Sequence, residues 1–272
     1  ANVGTRGTSY INWAHNNGYK VWASISNNSL KDTTSEIIND YELRQKLIDN
    51  IITAVVTFNL DGINLDFENI YESDKEMYTR LVVELAPRLR DLGKVLSVDV
   101  TAPDGSPDWS LCYNRNEIAK AADYIVFMGY DQNGISSPKE GTTAGCDWVE
   151  ANINKFLKQE EVPSEKLILG APFYTRLWTE KNGSIDSKVV FMNEIKQTLP
   201  ENATITWDDS LKQNYAEYTK NGKTYKMWIE DEKSLKEKIN LINSNNLGGV
   251  ASWEKGMETD NFWTFLKENL DF

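Results

Sequence analysis

The sequence predicts an α/β fold built as a parallel β/α barrel, and three observations predict it. Short apolar runs alternate with amphipathic segments at the pace of βα units, from about residue 20 to 172 and again after about 230. These runs end on polar or aromatic residues, at the strand ends where a parallel barrel carries its active site. One run, Gly62-Ile63-Asn64-Leu65-Asp66-Phe67-Glu68, alternates polar and apolar residues strictly, which is the period-two signature of a strand.

In chain order, 10–17 reads as a short helix closed by Gly18. Residues 20–26 read as a strand with Asn27 and Asn28 at its C-terminal end. Asp40 is placed to cap a helix reaching about 58, with Leu43, Leu47, Ile51 and Val55 as its inner stripe. The alternating strand follows. Ser73-Asp74-Lys75-Glu76 has the form of a capping box and opens a helix with Met77, Leu81, Leu85 and Leu89 inward, stopped by Gly93. Strands are predicted at 95–100, 124–131 and 167–172, and helices at 116–122 and 147–157. The rhythm then breaks. Residues 177–230 mix a helix at 191–199 with short strands, and Asn221-Gly222 between two strand-like runs signals a hairpin. This segment reads as a small α+β insertion. A helix at 232–243, a strand at 249–253 and a helix at 261–269 resume the pattern. With no internal repeat, low-complexity tract or linker, residues 1–272 read as one domain.

Composition sets bounds. Of the 272 residues, 40% are hydrophobic and 26% charged, an ordinary globular balance with enough chain for one large core. The net charge of −12 argues against nucleic acid or an anionic membrane as partner. No run of 18 apolar residues is present, so no membrane insertion is expected, and no signal-peptide pattern opens the chain at Ala1. His15 is the sole histidine and reads as a surface residue, which removes histidine-based triads and metal sites. No calcium-loop pattern occurs either, so neither metal nor cofactor is expected. Cys112 and Cys146 fall in predicted loops; a bridge and two free thiols both remain open. A monomer is expected.

The chemistry concentrates on the alternating strand. Ile63, Leu65 and Phe67 share one face; Asn64, Asp66 and Glu68 share the other, about 7 Å apart per step of two residues. Packing does not reward acids on a central strand, because a buried carboxylate costs several kcal/mol unless compensated. Two close carboxylates repel, so one is expected to stay protonated near neutral pH, as glycosidic cleavage requires. A merely solvated polar face is the plain alternative. A metal site is a weaker one.

Asp61-Gly62-Ile63-Asn64-Leu65-Asp66-Phe67-Glu68 resembles the D-G-x-D-x-D-x-E signature of glycoside hydrolase family 18, the chitinase-like family, with Asn64 where most chitinases carry Asp. Asn followed by D-F-E is similar to the bacterial branch of spore-cortex and cell-wall N-acetylglucosaminidases. Met128-Gly129-Tyr130-Asp131, Gly170-Ala171-Pro172-Phe173-Tyr174-Thr175-Arg176 and Gly248-Gly249-Val250-Ala251-Ser252-Trp253 resemble further family segments, in the family's order. The resemblance implies a TIM (β/α)8-type barrel in which the strand near Val21 is the third, so the first two barrel strands are absent from this chain. It implies hydrolysis assisted by the substrate's own acetamido group. Glu68 would be the general acid and base, Asp66 would orient the acetamido N–H, and Asn64 would link Asp66 to the interior. Tyr130 would donate to the acetamido oxygen, Asp131 would bind the −1 sugar, and Trp253 would form its apolar floor. Met128, Tyr174 and Arg176 would line the cleft. The plain readings are core roles for Tyr130 and Trp253, a structural ion pair for Arg176, and core packing for Trp207 and Trp228.

The implied substrate is an N-acetylglucosamine-containing polysaccharide, in peptidoglycan or spore cortex, and the implied location is extracellular or on the cell envelope or spore surface of a bacterium. Chitin is the alternative substrate. A non-catalytic sugar-binding protein is the alternative class, and the intact Glu68 weighs against it.

Overall fold

The computed structural model describes residues 4–271; Ala1, Asn2, Val3 and Phe272 lie outside them. The chain divides into two compact units, one of residues 1–127 with 156–167 and one of residues 128–155 with 168–272.

The first unit alternates helices with parallel strands: α1 (Gly4–Asn16), β1 (Trp22–Ser26), α2 (Lys31–Asn39), α3 (Tyr41–Thr57), β2 (Gly62–Asp66), α4 (Lys75–Arg90), β3 (Val95–Val100), α5 (Arg115–Ala121) and β4 (Tyr124–Met128). Strand β1 pairs with β2, β2 with β3, and β3 with β4, all in parallel. Ile63, Leu65 and Phe67 of the alternating segment are buried, each contributing about 1.5–3 kcal/mol of hydrophobic stabilisation. Gly62 at the strand entry is required by crowding, since a Cβ there would lie 2.7 Å from both the Trp22 ring and the Val95 carbonyl oxygen. Asp61, just before it, accepts hydrogen bonds from the Val21 N–H and from His15 Nε2, both at 2.8 Å. His15 is therefore a half-buried structural partner rather than a surface residue, a correction to the sequence reading.

Other corrections have physical causes. Helix α1 begins earlier than predicted. Helix α2 was not anticipated: its threonines and serine favour turns as much as helix, and it is held by the inward pair Thr34 and Ile38. On α3 the buried stripe is Arg44, Ile48, Ile51 and Val55, because the Arg44 guanidinium donates to Glu84 and to the Ile38 carbonyl and so takes an inner place that a charge pattern hides. Asp40 caps α3 as predicted, accepting from the Leu43 N–H. The capping box at Ser73 does not form. A 3₁₀ turn, Glu72–Asp74, precedes α4, and Asp74 accepts from Asn39 instead.

The second unit contains most of α6 (Cys146–Lys158) and of β5 (Leu167–Pro172), followed by β6 (Tyr174–Lys181), β7 (Ser184–Phe191), α7 (Ile195–Thr198), β8 (Thr204–Asp208), β9 (Gln213–Lys220), β10 (Lys223–Ile229), α8 (Glu232–Asn245), β11 (Gly249–Trp253) and α9 (Phe262–Asn269). Strands β5 and β11 pair in parallel. Six parallel strands thus occur among the described residues. Strand β1 pairs with β2 in the first unit, and β11 with β5 in the second.

The insertion is a five-stranded antiparallel sheet in the order β7-β6-β10-β9-β8. Its core is Leu177, Val190, Ile195, Ala216, Met227 and Ile229. The Asn221-Gly222 hairpin forms with both residues at positive φ, and Asn182-Gly183 makes a second one. The sheet starts at Tyr174, three residues before the predicted boundary. The helix expected at 191–199 is a single turn preceded by a 3₁₀ turn. Beneath the insertion, fully buried Glu230 pairs with fully buried Lys238 and is hydrogen-bonded by Gln213 and Ser234. Burial pushes its carboxyl up despite the lysine charge.

Cys112 and Cys146 are both free thiols, each pushed up to about 11 by burial. Among the described residues no helix is long and apolar enough to cross a membrane.

Candidate active site

In the first unit the polar face of β2 is half-buried at Asn64 and Asp66, while Glu68 lies two residues beyond the strand end. The Glu68 backbone is held from both sides by one side chain. Asn27 Nδ2 donates to its carbonyl at 2.9 Å, and its N–H donates to Asn27 Oδ1 at 3.0 Å. Asn69 follows at positive φ and turns the chain away. Below, Phe67 stacks on Tyr78 at 5.8 Å, and the Tyr113 hydroxyl donates to the Phe67 carbonyl at 2.8 Å. Glu68 therefore stands on a backbone fixed by an amide clamp and an aromatic layer, the rigid mounting that general acid catalysis needs.

Asn64 does not hydrogen-bond to Asp66. Its amide donates to Ser97 Oγ at 3.0 Å and to Asp99 Oδ1 at 2.7 Å. That corrects the expected link to Asp66 and brings in Asp99, which sequence reading missed. The β2–β3 register sets Asn64 beside Ser97, so Asp66 and Asp99 fall in the next row on the same face. Asp66 Oδ1 is buried without a hydrogen-bond partner, and burial pushes its carboxyl up. Asp99 is pushed up to about 7 by burial and by the charges of Asp66 and Glu68, against the hydrogen bond from Asn64. The sequence reading places a protonated acid within the Asp66–Glu68 pair; the carboxyl raised to about 7 is that of Asp99, on the neighbouring strand.

In the second unit, Met128 is buried at the end of β4 and Tyr130 is half-buried just beyond. Asp131 is exposed at positive φ and accepts a hydrogen bond from the Tyr174 hydroxyl at 2.9 Å. The Tyr130 and Tyr174 rings meet edge to face at 6.3 Å. Burial, then the Asp131 charge, pushes the Tyr174 phenol well above its usual range, so it stays a donor. Arg176 is buried; its Nη1 donates to Ser187 Oγ at 3.1 Å, and its Nε has no partner. Trp253 closes β11 with half of its surface exposed, and its carbonyl accepts from the Phe173 N–H at 2.8 Å. That exposure rules out the core role for Trp253. Trp207 and Trp228 are half-buried in the insertion, Trp207 beneath the Lys233 ammonium and Trp228 against Tyr215.

A sequence profile of the glycosyl hydrolases family 18 matches residues 6–258. The chain belongs to glycosyl hydrolases family 18. As a member it is a glycosidase, and family-18 enzymes act on N-acetylglucosamine-containing polysaccharides. It is 26% identical to the uncharacterized glycosylase YvbX of Bacillus subtilis over 98% of this chain and 79% of that protein. It is 24% identical to the cortical fragment-lytic enzyme of Bacillus anthracis over 88% of this chain but 56% of that protein, so it spans just over half of that relative's length. The solved chitinase from Chromobacterium violaceum superposes with a TM-score of 0.87 at 24% identity, over 97% of this chain and 83% of that one. This likeness shows the fold, the barrel type of family 18 with an antiparallel insertion.

Set on that fold, the predicted residues divide between the units: Asn64, Asp66 and Glu68 in the first, and Met128, Tyr130, Asp131, Tyr174, Arg176 and Trp253 in the second. Sequence reading named Asn27 at a strand end but gave it no role, and it missed Tyr113 and Asp99. Of these two, Asp99 left a signal. In Val95-Leu96-Ser97-Val98-Asp99-Val100, two polar residues share one face of an otherwise apolar strand.

Proposed function

We propose that this family-18 glycosidase is a retaining, substrate-assisted enzyme that cleaves N-acetylglucosaminyl bonds in bacterial peptidoglycan or spore cortex. The observation that carries the reading is the acid pair of β2, with Asp66 half-buried at the strand end and Glu68 mounted two residues on by the Asn27 clamp. Glu68 protonates the leaving oxygen and later activates water. The acetamido carbonyl of the −1 sugar attacks the anomeric carbon, so no protein nucleophile is needed. Asp66 hydrogen-bonds the acetamido N–H and opposes the positive charge that develops on the oxazolinium ring. Tyr130 donates to the acetamido oxygen, Asp131 binds the sugar, and Trp253 offers it an apolar face. Met128, Tyr174 and Arg176 complete the set of substrate-contacting residues in this reading. An acid, a carboxylate and the substrate's own amide supply the chemistry, with no call on a cofactor.

Support for a wall polymer over chitin comes from the Asn64 variant of the motif and from likeness to the cortical fragment-lytic enzyme. The enzyme acts as a monomer outside the cytoplasm, where such polymers lie. The test is mass spectrometry of products from peptidoglycan or cortex fragments and from chitin oligomers side by side, with product anomers read by proton NMR. Faster release of N-acetylglucosamine-ended fragments from the wall polymer, with retained configuration, supports the reading. Cleavage of chitin alone moves the substrate to chitin, and an inverted product removes the mechanism.

A further inference from the structure

A carboxylate in Asp66's position works best with a neighbouring acid that keeps a proton, because two ionised carboxylates side by side repel. In β2 the position two residues earlier is the amide Asn64, so on that side of Asp66 the strand supplies no acid, and Glu68 on the other side gives its proton to the leaving group. The structure supplies one from the next strand. Asn64 reaches across to Asp99 at 2.7 Å, and the register sets Asp99 in the same row and on the same face as Asp66.

We propose that Asp99 is a positioning residue for the family-18 reaction, holding beside Asp66 the proton that Asn64 cannot hold, with Asn64 fixing its carboxyl by a hydrogen bond. This role rests on the function proposed above. The surroundings of Asp99 favour its neutral form. Asn64, Asp66 and Glu68 face it from β2 and the turn that follows, and the buried Tyr78 phenol faces it from α4. The same row offers Ser26 on β1 and Val126 on β4, neither of which is charged. No cation among these neighbours holds Asp99 ionised, and the carboxyl is pushed up to about 7. Below that pH Asp99 is neutral and leaves Asp66 free to ionise toward the substrate. Above it the new charge acts on Glu68 and helps Glu68 keep its own proton, so the pair titrates as a coupled system.

The sign of the effect follows. In Asp99→Asn the acid limb of the kcat/KM profile should stay in place, because Asp99 is uncharged there in either protein. The alkaline limb should move to lower pH by about half a unit or more, because Glu68 loses a negative neighbour. A purely structural role would lower the rate at every pH and move neither limb. In the exchange variant Asn64→Asp/Asp99→Asn, the carboxyl and the amide swap ends of the same contact. The alkaline limb should return toward wild type and most of the lost rate should recover.

The experiment is the pH profile of wild type, Asp99→Asn and the exchange variant on aryl glycosides of N-acetylglucosamine oligomers. It is paired with carbon-13 NMR titration of aspartate side chains in folded wild type and Asp99→Asn. One carboxyl titrating near 7 and absent from Asp99→Asn, together with the one-sided shift and its rescue, is the expected result. Superimposable profiles, or an Asp99 carboxyl titrating in the ordinary range, would overturn the role. A wild type inactive on every N-acetylglucosaminide would remove the proposed function and this role with it, and is distinguishable because the NMR titration still reports on Asp99.

Discussion

Asn27 holds the backbone of Glu68 at both polar groups, donating to its carbonyl at 2.9 Å and accepting from its N–H at 3.0 Å. The same amide also donates to Thr34 Oγ1 at 2.9 Å, which ties the end of β1, the first turn of α2 and the segment just beyond β2 into one corner. Replacing Asn27 with Ala removes both of these hydrogen bonds to the Glu68 backbone, at a cost of about 1–3 kcal/mol. In Asn27→Ala, urea unfolding should show a loss of that size, and kcat should fall more than KM changes, because the acid is misaimed while most substrate contacts remain. Unchanged kcat in a folded Asn27→Ala protein would refute the clamp's role.

Asp61 makes a prediction about stability and pH. Burial works against its ionised form, but the hydrogen bonds from the Val21 N–H and His15 and the charge of Lys94 outweigh it and hold the carboxyl low. A carboxyl lowered in the folded state stabilises above its unfolded value and loses that contribution as pH falls through the folded value. Asp61→Asn should therefore be less stable than wild type at pH 7 by about 1 kcal/mol. The gap should close as pH drops below about 4. Thermal unfolding midpoints of the two proteins across pH 2.5–8 check it; a gap that persists or widens in acid would contradict the assignment.

Trp253 separates binding from folding. Half of its surface is exposed at the end of β11, so truncation removes only part of the area that a core tryptophan buries. Trp253→Ala should therefore cost clearly less folding free energy than the about 3–5 kcal/mol of a core tryptophan truncation. It should lower kcat/KM on N-acetylglucosamine oligomers by about tenfold or more, through the lost stacking face. Loss of stability without loss of activity would refute the stacking role of this ring.

Much of the fold was legible in the sequence because its strands are short, apolar and bounded by polar exits. The strands at 95–100, 167–172 and 249–253 stand where periodicity placed them. Asp40 and Asn221-Gly222 behave as their local chemistry dictates. What was not legible depends on partners distant in sequence. Arg44 takes an inner place only because Glu84 and the Ile38 carbonyl meet it there. Asp74 rather than Ser73 stands at the N-cap of α4, and its side chain accepts from Asn39 instead of capping the helix. The motif residues Asp66 and Glu68 were found from their own strand. The hydrogen bond from Asn64 to Asp99 needed the register between two strands, which no single stretch of sequence carries.

The measurement that bears most directly on the account is steady-state turnover by Glu68→Gln, on whichever N-acetylglucosamine polymer wild type cleaves, with binding of the same polymer measured by calorimetry. Gln keeps the shape and hydrogen bonding of Glu68 but cannot give up a proton. The account predicts that kcat falls by about 10²–10⁴. It also predicts that the dissociation constant stays within about threefold of wild type, because ground-state contacts survive. Turnover by Glu68→Gln near the wild-type rate would contradict it.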